Sequence, residues 1–186
     1  MPIATLDARV ALVVIDLQKG IVGIPAAHRM TGILDNNRTL LRAFRAKGLP
    51  VVLVNVTGGA PGRTDAPPRT GTYPADWAEL IPELERAPTD HLVTKRQWGA
   101  FHGTSLDDYL KEQRVTQVVI TGVATSRGVE STARAAHEHR YHVALVADAM
   151  TDPDPVAHDH SIGNIFPKLG QVATTEAIVA LINGRP

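Results

Sequence analysis

The stretch NNRTLLRAFRAKGLPVVLVNV, residues 36–56, carries two periodicities on either side of one break. Over 36–47, Leu40, Leu41 and Phe44 fall on one helical face, while Arg38, Arg42 and Arg45 fall largely on the other. Gly48-Leu49-Pro50 then stops the helix, with glycine as the terminator and proline just beyond it. The following PVVLVNV, 50–56, is rich in Val and shows no clean in-out alternation. A run of that kind predicts a strand buried on both faces, as in a parallel sheet covered by helices.

The same unit recurs outward from this point. VALVVID (10–16), VTQVVITGV (115–123) and YHVALVAD (141–148) read as further buried strands. HLVTK (91–95) is a weaker fifth, and QVATT near Gln171 holds a short sixth. Segments 105–113, 126–139, 154–166 and 175–182 have helical spacing between or after them. Strand-helix alternation requires parallel pairing with right-handed crossovers. The expected fold is therefore an α/β three-layer sandwich, Rossmann-like, with a six-stranded parallel sheet.

Bulk properties fit that reading. The 186 residues suit one domain, expected to span 1–186, and 44% apolar with 20% charged residues is a globular composition. Nineteen basic residues balance nineteen acidic ones, and no Lys/Arg run stands out, so no nucleic-acid partner is expected. No stretch approaches the 18 or so apolar residues of a membrane span, and MPIATLDARV lacks the pattern of a signal peptide. A cytoplasmic protein without a membrane partner is the expectation. Cysteine is absent, which excludes disulfides, thiolate metal sites and any thiol nucleophile.

One stretch breaks the rhythm. TGGAPGRTDAPPRTGTYPAD (57–76) has four Gly and four Pro in 20 residues and almost no aliphatic side chains. It follows the carboxyl end of the second strand, where open α/β sheets bind ligands. We read it as a substrate lid, with a plain surface loop as the alternative.

Candidate chemistry lies at the strand ends. Asp16 ends the first strand, Lys95 ends HLVTK, and Gly122, Ser126 and Gly128 surround the turn after the fourth. In a parallel sheet all three places share one edge, so an acid, a base and helix-terminal N–H donors face a common crevice. Taken singly, Asp16 also fits a helix cap, Lys95 a solvated edge charge, and the glycines plain packing.

VVIDLQKG, then VTKRQWGAFHGTSLDDYL, then TGVATSRGVESTARAAHEHRYHVALVADAMTD resembles the isochorismatase-like hydrolase superfamily, which also contains nicotinamidases and N-carbamoyl amidohydrolases. The resemblance runs from about Ala11 to Ile182, with the motifs in order. It implies a hydrolase, Asp16 as the acid and Lys95 as the cation. The position matching the usual catalytic cysteine is Gly128, and Ser126 and Ser131 are out of register with it. True isochorismatases resemble this chain in having Asp and Lys with Gly at that place. They cleave a vinyl ether, which requires a protonated carboxylic acid rather than a thiol. The resemblance also implies a homo-oligomer, dimer or larger, and a non-proline cis peptide between Val123 and Ala124. Amide hydrolysis by activated water and a metabolite-binding pseudoenzyme remain the alternatives.

Substrate contacts are expected from residues around this core. Arg63 and Arg69 in the long loop suit a small-molecule carboxylate, if they are not merely solvated. Trp98 and Phe101 suit an apolar wall or the core. Ala124 and Arg127 flank the turn, and Gln18 is expected to be a structural partner. No metal and no other cofactor is expected. The stretch after the second strand, NVTGGAPGRTD, has no His, and the pairs His158/His160 and His137/His139 point about 200° apart on a helix.

Overall fold

The computed structural model describes residues 3–66 and 72–185. Its centre is a six-stranded, all-parallel sheet in the order β3-β2-β1-β4-β5-β6. The strands are β1 (Val10–Ile15), β2 (Val51–Val56), β3 (His91–Lys95), β4 (Gln117–Val123), β5 (His142–Thr151) and β6 (Gln171–Ala173). The helices are α1 (Lys19–Val22), α2 (Met30–Ala46), α3 (Leu106–Glu112), α4 (Glu130–Glu138), α5 (Pro155–His160), α6 (Phe166–Leu169) and α7 (Thr175–Asn183). None of these helices is long and apolar enough to cross a membrane.

The absence of alternation in the strands has a direct cause. Alternate residues of β1 feed two separate cores: Leu12 and Val14 pack with Leu40, Phe44, Ile178 and Ile182 of α2 and α7. Val13 and Ile15 pack on the opposite face with Leu106, Leu110, Ala133 and Phe166 of α3, α4 and α6. With both faces covered, no position of β1 needs to be polar, and the whole strand is buried.

Several boundaries differ from the sequence expectation. Helix α2 starts at Met30 rather than residue 36, because its buried face runs Ile33, Asn37, Leu40, Leu41, Phe44. Asn37 breaks the apolar pattern but is fully satisfied: Nδ2 donates to the carbonyls of Ile33 (2.8 Å) and Ala149 (2.9 Å), and Oδ1 accepts from Thr121 (2.6 Å). Strand β5 runs three residues past Asp148, after a register shift against β4. The helix expected over 126–139 is preceded by a wider π turn, Thr125–Val129, and a second π turn, Ser161–Ile165, interrupts the one expected over 154–166. Asp154 caps α5 by accepting from the N–H groups of Val156 and Ala157.

Gly122 explains how β4 lies so close to β1 next to the site. Its φ is +112°, and a Cβ there would sit 2.1 Å from the Ile15 carbonyl oxygen. Backbone cannot yield as a flexible side chain does. Gly122→Ala is expected to destabilise the fold by about 3 kcal/mol, read as a drop in the urea midpoint at constant slope. An unchanged midpoint would show that the strand can move away freely.

Candidate active site

The carboxyl ends of β1, β3 and β4 meet in one pocket. Asp16 follows β1 with φ +52°, a left-handed conformation that Asp tolerates better than most residues. This reversal ends the strand and exposes the carboxyl to the pocket. Gln18 holds the reversal: its Nε2 donates to the carbonyls of Val56 (3.0 Å) and Trp77 (3.1 Å), and its Oε1 accepts from Val56 N–H (2.8 Å). It is a structural partner, as its position suggested.

Lys95, the last residue of β3, reaches past β2 to Asp16. Its Nζ donates to Asp16 Oδ2 at 2.7 Å and to the Gln97 carbonyl at 3.1 Å. Both residues are buried, at 5% and 2% exposure. Asp16 Oδ1 is buried too, with no hydrogen-bond partner among the described residues. Burial pushes the Asp16 carboxyl up to about 6, against the opposing pull of the Lys95 ammonium. An acid with one oxygen held and the other unclaimed is poised to give or take a proton.

Gly128 lies beside this pair in the π turn. A Cβ there would stand 3.0 Å from Ile15 Cγ2 and 3.3 Å from Asp16 Oδ2, so any side chain would press on the carboxyl. The peptide between Val123 and Ala124 is cis. The helix-terminal donors expected at the turn are largely engaged within the protein. Ser126 N–H and Oγ both donate to Asp152 Oδ2 at 2.8 Å. The N–H groups of Arg127 and Val129 donate to the Ala124 carbonyl. The anion at this helix start is therefore the protein's own Asp152.

The pocket opens to solvent at the carboxyl edge of the sheet, where open α/β sheets bind ligands. Asp16, Lys95, Trp98, Ala124, Arg127 and Gly128 all line it. Arg127 is exposed, and its guanidinium has no hydrogen bond or ion pair among the described residues, so it is available to a ligand. Trp98 is 60% exposed at the rim.

Other expected contacts fall elsewhere. Phe101 is buried in the core against His139 and Tyr141, at ring distances of 5.0 and 6.0 Å, because the chain after Trp98 turns inward under α4. Arg63 is exposed and does not line the pocket, which is the solvated alternative for a loop charge. Arg69 lies outside the described residues. From the long loop, Gly58 and Tyr73 do line the pocket. Among the described residues, no three His, Cys, Asp or Glu side chains converge as a metal site would require.

Sequence reading missed one whole wall. Ile21, Ile24, Ala26 and Met30 line the pocket, together with Trp77 and Pro153. Segment 23–29 is held in place by Ala27 N–H donating to the Asp152 carbonyl at 2.8 Å. No periodicity marks a loop that is placed by hydrogen bonds to a strand end more than a hundred residues away. Trp77 carried a usable signal, since it and Trp98 are the chain's two tryptophans.

Comparison with known proteins agrees with this architecture. The isochorismatase domain profile matches residues 10–177. Over 175 residues the chain is 41% identical to the isochorismatase family protein YwoC of Bacillus subtilis, covering 90% of this chain and 91% of that one. The solved isochorismatase family protein from Burkholderia thailandensis superposes with a TM-score of 0.92 at 41% identity, covering 96% and 98% of the two chains. Streptothricin hydrolase from Streptomyces noursei is 36% identical over 153 residues, which span 81% of this chain and 53% of that protein. The chain belongs to the isochorismatase family and is a hydrolase; its homologues are named as hydrolases or amidases.

Proposed function

We propose that this hydrolase acts on a small carboxylated metabolite without a covalent intermediate, with isochorismate as the assigned substrate and Asp16 as general acid. The observation that carries the reading is the Asp16 carboxyl: Oδ2 is held by Lys95 and Oδ1 has no partner, beside a residue without a side chain. In this reading Gly128 stands where most relatives use a thiol, and the space above the carboxyl accepts the enolpyruvyl group. Asp16 gives its proton to the terminal methylene, and the double-bond pair forms the new C–H bond. The ether oxygen stabilises the cationic carbon, water adds to it, and Asp16 takes back the proton that water loses. The hemiketal hydroxyl then passes its proton to the departing ring oxygen as the C–O bond breaks, leaving pyruvate and a ring alcohol.

Charge in the pocket suits this sequence. A carboxyl near 6 is protonated in roughly one molecule in ten at neutral pH, a usable fraction for a general acid. Arg127 at the rim matches a substrate carboxylate. Amide hydrolysis by a water that ionised Asp16 deprotonates is the second reading, favoured by the relatives named as amidases.

The test incubates the purified protein with isochorismate and, separately, with nicotinamide, and follows pyruvate and ammonia. Pyruvate without ammonia is the expected result. Ammonia alone would replace the first reading by the second. No product in either arm, with binding of isochorismate retained, would overturn both and favour a binding protein.

A further inference from the structure

Behind the turn that carries Arg127 and Gly128 lies a pair of imidazoles to which the proposed chemistry gives no part. His158 of α5 is buried, and its Nδ1 is 2.8 Å from Oγ1 of Thr125, the first residue of the π turn. Its ring packs on that of His28 at 4.6 Å. His28 in turn is fixed to the end of β5, where Thr151 Oγ1 accepts its backbone N–H at 3.2 Å and lies 3.1 Å from its Nδ1. The two rings thus connect two walls of the pocket: the turn with Ala124, Arg127 and Gly128, and the segment with Ile24, Ala26 and Met30.

We propose that His158 is a positioning residue, which as a neutral imidazole holds the π turn in its working place with His28 as its brace. Two successive residues of the turn are gripped from one side, Thr125 by His158 and Ser126 by Asp152. An apolar side chain at 158 would fill space but leave the buried Thr125 hydroxyl without this partner.

Protonation works against the grip. Burial holds the His158 imidazole below its ordinary value, and His28 acts in the same direction, while Asp159 and Asp152 oppose them. Arg29 and Asp148 also line the groove beside the pair. Asp148 is engaged by Thr175 N–H and Oγ, and Asp152 by Ser126 and Asp154, so neither carboxylate is idle. A proton on the buried His158 ring puts a cation against the turn, and the turn then gives way. The inference concerns control of the same pocket and needs it to be the working site, but it does not depend on the substrate.

The chain's two tryptophans, Trp77 and Trp98, both line this pocket, so their emission reports on it without any substrate. The titration is made on Asp16→Asn protein, which removes the pocket carboxyl as a source of signal. Emission is expected to change as pH falls from 7.5 to 5. His158→Gln should remove at least about half of that amplitude. His28→Gln should move the transition to higher pH by a few tenths of a unit, because the coulombic push of His28 on His158 is gone. A flat emission profile, an amplitude untouched by His158→Gln, or a midpoint untouched by His28→Gln would each overturn the proposal. The readout stands even if isochorismate proves not to be the substrate.

Discussion

Asp16→Asn protein is expected to release pyruvate from isochorismate about 10²- to 10⁴-fold more slowly than wild type, the range a positioned general acid supplies. The amide keeps the size of the carboxyl, and its oxygen can still accept from Lys95, but it has no proton to give to carbon. Among the described residues no other carboxyl lines the pocket, so no substitute is at hand. The pH dependence should disappear together with the rate. In the proposed reaction the working form is protonated Asp16, whose folded-state value is raised to about 6. Above about 6, activity should therefore fall roughly tenfold per pH unit. Matching melting curves for the two proteins would confirm that the loss is chemical. Activity unchanged by the substitution would end the assignment of Asp16.

Gly128→Cys is expected to exchange one chemistry for another. The added Cβ stands 3.3 Å from Asp16 Oδ2, which already accepts from Lys95. An ionised Asp16 can take the thiol proton, with the Lys95 ammonium stabilising the thiolate. Because the chain has no other cysteine, labelling by iodoacetamide reads this position alone. The thiol should be alkylated at least about tenfold faster at pH 7 than free cysteine, and Asp16→Asn in the same chain should cancel the gain. Vinyl-ether cleavage should fall at the same time, since the side chain fills the space that the proposed reaction gives to the enolpyruvyl group. A thiol no faster than free cysteine would mean that the turn is not aimed at the Asp-Lys pair. Undiminished cleavage would mean that the substrate lies elsewhere in the pocket.

The strands were legible because burial on both faces leaves short apolar runs without alternation, and residues 10–16 and 50–56 are near-continuous Val, Leu and Ile. Asp16 and Lys95 were legible as polar residues at the ends of apolar runs. The shared sheet edge implied that the two side chains lie within pairing reach, and they stand 2.7 Å apart across β2. Phe101 and Arg63 were misplaced for opposite reasons. Proximity to Lys95 in sequence says nothing about which way a chain turns after a strand, and a guanidinium on a polar loop has water as a competing partner. The start of α2 was hidden by Asn37, since a buried amide paired three ways looks solvent-facing in a periodicity count.

Lys95 sits on β3, an edge strand that bonds a neighbour on one side only and leaves Leu92 and Thr94 exposed. Its partner Asp16 follows β1, at the middle of the sheet. Edge strands fray with little loss of core, so a local opening can withdraw the ammonium while most of the hydrophobic burial stays intact. In that opened state the Asp16 carboxyl keeps its burial and loses its counter-charge, which favours the neutral acid still further. Durability of the site is thus uncoupled from durability of the fold. The Asp16–Lys95 pair belongs to the smaller cooperative unit, and mild heat or denaturant should part it while the rest of the sheet still stands.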